Sequence, residues 1–294
     1  MADQPQLTGV SIVIPAYNEA AAIEATIARA RAALAALPGI AGDIVVVNDG
    51  SSDGTGAIAA SAGVRVIQHP HNIGYGRSLK DGIAAAVYDT VVITDADGTY
   101  PIEDIARLLQ PMQDGHDMVV GARAGAQYDG GPLKNPLRRV LTFLVEFTSG
   151  RTVPDVNSGF RAFSRATAMR YFGQLCDTFS FTTSLTLAYM MTGRFVTYVP
   201  ISYADRVGVT KVRLFRDTLR TLQYIVQAIL YYNPIKIFLL LALTALTVTA
   251  LAVVVSTLVG PSPALVLATA GTLVAITVFA LGLIADLLRQ IMTK

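Results

Sequence analysis

The sequence predicts an α/β domain on a mostly parallel sheet, followed by two helices long and apolar enough to cross a bilayer. Three observations carry that prediction. Short Val/Ile-rich runs alternate with helical patterns through residues 11–120. One such run ends in two carboxylates spaced i, i+2. Residues 237–285 contain no Asp, Glu, Lys, Arg or His.

Ser11-Ile12-Val13-Ile14 reads as the first strand, ended by Pro15, with Asn18 as cap of the following helix. That helix places Ile23, Ile27, Leu34 and Leu37 on one face, and Pro38-Gly39 stops it. Ile44-Val45-Val46-Val47 is the second strand and runs into Asn48-Asp49-Gly50-Ser51-Ser52-Asp53-Gly54. Val64-Arg65-Val66-Ile67 is the third, and Asn72-Ile73-Gly74-Tyr75-Gly76 opens a helix reaching to Tyr88. Gly74 and Gly76 are no dinucleotide fingerprint, because the third glycine and its acidic partner are missing. Val91-Val92-Ile93-Thr94 is the fourth strand, closed by Asp95-Ala96-Asp97-Gly98. Pro101 suits a first helical turn, and Glu103 and Asp104 complement its dipole. Met118-Val119-Val120 is the fifth strand.

Past Gly121 the pattern loosens. Residues 133–148 are amphipathic, with Lys134, Arg138 and Arg139 beside Leu137, Leu141, Leu144 and Val145. Residues 205–232 set Arg206, Lys211, Arg213, Arg216 and Arg220 among Leu and Tyr. Both suit helices lying on a headgroup layer. The expected division is an α/β domain over residues 1–204, juxtamembrane helices over 205–232, and a hairpin over 233–294. Its spans are expected at 237–259 and 264–288, around Gly260-Pro261-Ser262-Pro263.

Lys236 and the arginines upstream precede the first span, Arg289 and Lys294 follow the second, and the turn between carries no charge. The positive-inside rule then puts the α/β domain on the cytoplasmic face of the plasma membrane, as part of an integral membrane protein. The polar N-terminus carries no signal-peptide core, in agreement. The net charge of +2 is divided unevenly: −5 over residues 1–100 and +7 over the rest. Basic residues beside an apolar hairpin point to anionic lipid rather than nucleic acid. The lone Cys176, a core thiol on this reading, excludes an internal disulfide and a cysteine metal cluster. His69, His71 and His116 read as loop or surface histidines.

Chemistry concentrates at the fourth strand's end. Ligands of open α/β sheets collect outside the carboxyl ends of strands. Two acids there offer hard oxygen ligands to Mg²⁺ or Mn²⁺, with Asp97 as ligand and Asp95 steadying it.

Three strand ends converge in such a sheet: Pro15-Ala16-Tyr17-Asn18-Glu19, Asp49 with its Gly/Ser turn, and Asp95-Ala96-Asp97. The set resembles the catalytic domain of glycosyltransferase family 2, a GT-A fold, over residues 10–232. Gly121-Ala122-Arg123, the run Asp155-Val156-Asn157-Ser158-Gly159-Phe160-Arg161, and Arg206-Val207-Gly208-Val209-Thr210-Lys211 before two spans are similar to the polyprenyl-phosphate members, the dolichyl-phosphate mannose synthase type.

The resemblance implies an inverting, metal-dependent transfer of one sugar from a UDP- or GDP-linked donor to undecaprenyl or dolichyl phosphate. Pro15, Ala16, Tyr17, Glu19 and Asp49 would hold the nucleoside, with Asp49 accepting from the base. Asp95, Ala96, Asp97, Thr99, Arg123, Arg206 and Lys211 would hold the diphosphate and its metal. Asp95, Asp97 and Arg123 would form the catalytic set. Arg138, Arg139, Ser158 and Arg161 are the candidates for the acceptor phosphate. The number of subunits stays open, a homo-oligomer included. Asn48 stands where relatives commonly have a second Asp, and Thr99 where mannose synthases often have Gln, which leans toward UDP. A polysaccharide synthase would carry Q-x-x-R-W, and this chain has no Trp. An inactive membrane adaptor is the reading from another class; the retained acids and phosphate cations argue against it.

Overall fold

A computed structural model describes residues 7–124, 134–204, 214–257 and 261–292. In chain order the elements are β1 (Gly9–Ala16), α1 (Ile23–Ala35), β2 (Ala41–Asn48), α2 (Thr55–Ser61), β3 (Arg65–Gln68), α3 (Tyr75–Ala85) and β4 (Thr90–Ile93). A 3-10 turn at Ile102–Asp104 leads into α4 (Ile105–Gln113), then β5 (Met118–Ala124), α5 (Lys134–Ser149), β6 (Arg161–Ser164), α6 (Arg165–Met169), α7 (Phe181–Met191) and β7 (Val196–Ser202). Three helices close the chain: α8 (Leu214–Tyr232), α9 (Pro234–Thr257) and α10 (Pro261–Met292). The chain divides into two compact units, residues 1–224 and 225–294, and the division falls inside α8.

The first unit is a seven-stranded sheet in the order β3-β2-β1-β4-β6-β5-β7. Every neighbouring pair is parallel except those made by β6, which runs against both β4 and β5. The Val/Ile-rich strands are buried for the reason such strands usually are: helices cover both faces of the sheet. Successive side chains alternate between the faces. Val10, Ile12 and Ile14 of β1 join Ile23, Ile27 and Leu34 of α1 and Leu108 of α4 in one core. Val13 and Val47 point the other way, where α3 lies so close that a Cβ on Gly82 would fall 2.4 Å from the Val13 methyl.

The five expected strands form, and two more join them. β6 is only four residues long, too short to show a period. β7 contains Pro200, which a sheet tolerates at its edge, where β7 lies. Asn18 does not cap α1. The helix starts at Ile23 with Ala22 before it, and Asn18 instead takes a left-handed backbone, φ 51°.

The direction of β6 decides which loops share an edge of the sheet. Parallel β1, β2, β4 and β5 deliver their carboxyl ends to one edge, and antiparallel β6 begins there, with Arg161 opposite Ile93 and Val120. The strand order reverses between β1 and β4, the switch point at which such sheets open a crevice.

In the second unit α9 and α10 pair antiparallel. Gly271 meets Thr249 and Gly282 meets Phe238, each too close to admit a Cβ without movement. Small residues at such contacts let helix backbones approach. Residues Pro234–Thr257 and Ala264–Ile291 are long and apolar enough to cross a membrane. Along them Leu251, Val254 and Leu265 are more than 60% exposed.

Candidate active site

The turns after β1 and β2 are stitched into one piece. The Asn18 N–H donates to Ser51 Oγ (2.9 Å) and the Ser52 N–H to Asn18 Oδ1 (2.8 Å). The Glu19 N–H donates to Thr55 Oγ1 (2.9 Å) and the Ala20 N–H to Asp53 Oδ2 (3.0 Å). Burial would raise the Asp53 pKa, but the donors of Thr55 and Ala20 outweigh it and hold it below the usual carboxylate range. Asn is among the few residues that accept a left-handed backbone easily, which is why it stands at this corner. Pro15 and Ala16 are buried, and Tyr17 is exposed above them.

Asp95 and Asp97 lie just past β4, whose Ile93 is in register with Val13 of β1. Gly98 takes φ 77° and turns the chain at once. The Thr99 N–H (3.1 Å) and hydroxyl (2.7 Å) both donate to Asp97 Oδ1. From α1, Arg29 donates to the Gly98 and Tyr100 carbonyls while pairing with Glu103, and Thr26 Oγ1 donates to the Ala96 carbonyl (3.0 Å). The acidic turn is therefore held from behind by a helix. Asp95 has Tyr75 for a neighbour, whose hydroxyl donates to Oδ1 at 2.8 Å.

Asp49 is buried, and it is filled from within the protein. His69 Nδ1 (2.8 Å) and the Ile73 N–H (3.0 Å) meet Oδ1; Asn72 Nδ2 (2.9 Å) and the Gly74 N–H (3.0 Å) meet Oδ2. A carboxylate accepts about four hydrogen bonds, so these occupy it. Asn48 is buried too and donates to Gln68 Oε1. His69 is no surface histidine: its other ring nitrogen lies 3.2 Å from Asp81, which Arg77 also holds.

The loop before β6 reaches the same edge. Asp155 grips Arg123 with both oxygens, 2.7 Å to Nε and 2.9 Å to Nη2, and the Arg123 guanidinium lies 5.3 Å from the Tyr203 ring centre. Burial pushes the Asp155 pKa up, but the bonds and charge of Arg123 more than offset it and hold the carboxyl below its usual value. The Gly159 N–H donates to Tyr100 Oη (2.7 Å), and a Cβ on Gly159 would fall 2.9 Å from Asp95 Oδ1.

The structure buries two of the expected acceptor residues. Arg161 is wholly buried, and its guanidinium donates to the carbonyls of Val156, Ser158 and Thr182 and to Thr186 Oγ1. Burial pulls its pKa down from the usual arginine value. A guanidinium has five donors, and this one directs them to its own loop and to α7. Ser158 is equally buried, its Oγ accepting from the Phe160 N–H (3.3 Å). Arg138 and Arg139 lie on α5, their side chains outside the described residues, as are Arg206 and Lys211.

Among the described residues no three His, Cys, Asp or Glu converge as a ready metal cage. The donor set at Asp95 and Asp97 still fits Mg²⁺ or Mn²⁺, since these ions are usually held by one or two carboxylates plus substrate phosphates. The residues missed by sequence reasoning are Tyr75, Tyr100 and Gly159. Gly159 stands inside a motif run but with no role assigned, and nothing local marks Tyr75 or Tyr100, whose partners Asp95 and Gly159 lie 20 and 59 positions away.

A sequence model described as glycosyl transferase family 2 matches residues 11–172. The dolichyl-phosphate hexose transferase of Haloferax volcanii is 31% identical over 207 residues, 70% of this chain and 87% of that protein. The polyprenol monophosphomannose synthase of Mycolicibacterium smegmatis is 29% identical over 221 residues, 68% of this chain and 80% of that one. Among solved structures, glucosyl-3-phosphoglycerate synthase from Mycobacterium tuberculosis, in complex with Mn²⁺, UDP and phosphoglyceric acid, matches with a TM-score of 0.62 at 21% identity. That match covers 75% of this chain and 78% of the other.

Proposed function

The chain belongs to glycosyltransferase family 2 and has a GT-A fold, and from that premise we propose that it moves one sugar from a nucleotide-diphosphate donor to a polyprenyl phosphate. The observation that carries the reading is the meeting of the Asp95-Ala96-Asp97 turn with the stitched turns after β1 and β2, in a chain that goes on into two apolar helices. Relatives named dolichyl-phosphate hexose transferase and polyprenol monophosphomannose synthase support the acceptor class.

On this reading Pro15, Ala16, Tyr17 and Glu19 meet the nucleoside. Asp49 shapes that end of the site by holding residues 72–74, a role its four internal donors favour over direct contact with the base. Asp97 and Asp95 hold Mg²⁺ or Mn²⁺, which when bound supplies positive charge against the diphosphate leaving group. Arg123, held by Asp155, adds a cation to the diphosphate from the side opposite the metal, and Arg206 and Lys211 are proposed to do likewise.

A lipid monophosphate is anionic at neutral pH, so its attack needs no strong general base. The chain's task is to bring two anions together, with Arg138 and Arg139 proposed to meet the acceptor. In-line attack inverts the anomeric centre. The charges flanking the spans favour a cytoplasmic catalytic unit. The test is transfer from a panel of UDP- and GDP-sugars to a polyprenyl phosphate by the full chain in detergent. A glycolipid product that vanishes with EDTA and returns with Mn²⁺ is expected. No product from any donor would leave the fold serving binding alone.

A further inference from the structure

Resting on that reading, we propose that Tyr75 is a positioning residue for Asp95, and that the strap of residues 72–75 carries the order set at Asp49 across to the metal-binding turn. The strap is held at both ends. At one, Asp49 takes the Asn72 side chain and the N–H groups of Ile73 and Gly74. At the other, the Tyr75 hydroxyl donates to Asp95 Oδ1 at 2.8 Å.

Its path between them leaves no slack. Gly74 and Gly76 pass so close to the backbone of residues 176–178 that a Cβ on either would sit within 2.5 Å of a carbonyl oxygen. The Arg77 N–H donates to the Asp177 carbonyl, which ties the start of α3 to the same loop. The Tyr75 ring stacks on Phe179, centres 5.7 Å apart, and a Cβ on Gly159 would meet both its hydroxyl and Asp95. A side chain gripped on ring and hydroxyl fixes which way Asp95 presents its oxygens. Outer partners of this kind set metal affinity.

The experiment titrates Mn²⁺ into the full chain in detergent with UDP or GDP present, following free Mn²⁺ by electron paramagnetic resonance. Tyr75→Phe keeps the ring on Phe179 and removes one donor. It is expected to weaken Mn²⁺ binding roughly tenfold with the melting temperature little changed. In an Asp95→Ala background the same substitution is expected to have no further effect, because the two act as one unit. Equal Mn²⁺ affinity in wild type and Tyr75→Phe, or a loss that persists in the Asp95→Ala background, overturns the inference while leaving the proposed reaction intact. Wild type that shows no nucleotide-promoted Mn²⁺ binding overturns both.

Discussion

The turn between β1 and α1 and the loop before β6 reach the same edge of the sheet, and both are made of motif residues, yet they are built in opposite senses. In the first, backbone N–H groups of Asn18, Glu19 and Ala20 are tied off by Ser51, Thr55 and Asp53, and Tyr17 stays 37% exposed. In the second the polar groups turn inward: Asp155, Ser158 and Arg161 are buried with their bonds made inside the protein. A polar residue in a motif can face the ligand or hold the loop that faces it. Burial with the polar groups bonded inside the protein marks the second kind.

Substitutions at either pole can break this contrast. Asp97→Asn, on the side where the chemistry is placed, should cut sugar transfer by about a thousandfold while the protein still folds and inserts; retained turnover in metal-free buffer would remove Asp97 from its role. Arg161→Met probes the opposite pole. It strands three buried carbonyls, each costing about 1–3 kcal/mol, so a loss of roughly 3 kcal/mol or more should appear in denaturant melts. An unchanged melt with a raised KM for the lipid would return Arg161 to the acceptor.

Asp155→Asn should cost about 2–3 kcal/mol by leaving Arg123 without its carboxylate. The pH dependence has a definite sign. The folded pKa is held down, so the pair's stability is present above the unfolded value of about 3.9 and is lost as pH falls through the folded one. Stability measured below about pH 4 should therefore fall less steeply in the Asn variant than in wild type. Asn18→Ala is the mildest change. It loses the bond to Ser52 and places alanine at φ 51°, for about 1–2 kcal/mol and a raised donor KM. An unaffected donor KM would mean the stitched turns are scaffold alone.

Much of the edge was legible in residue order. The run into Asp95 and Asp97 announces a strand end with acids, and the paired turns at Pro15 and Asp49 announce its neighbours. Residue order could not tell which of these groups the protein keeps for itself. Asp49 looks like a ligand contact in sequence, but four donors from residues 69–74 fill it. His69, read as a loop or surface residue, does lie in a loop, but buried, as the bridge from Asp49 to Asp81.

By itself the sequence determined the alternation of strand and helix, the two carboxylates at the fourth strand's end and the two long apolar helices. These are written in local periodicity and composition, and short-range order follows from them. Tertiary structure alone decided that β6 runs backwards, that Tyr75 meets Asp95, and that Arg161 points into the core. Such outcomes depend on the register in which distant strands pair and on the side from which a loop enters. A hydrogen-bonding group is spent on whichever partner that geometry brings within about 3 Å.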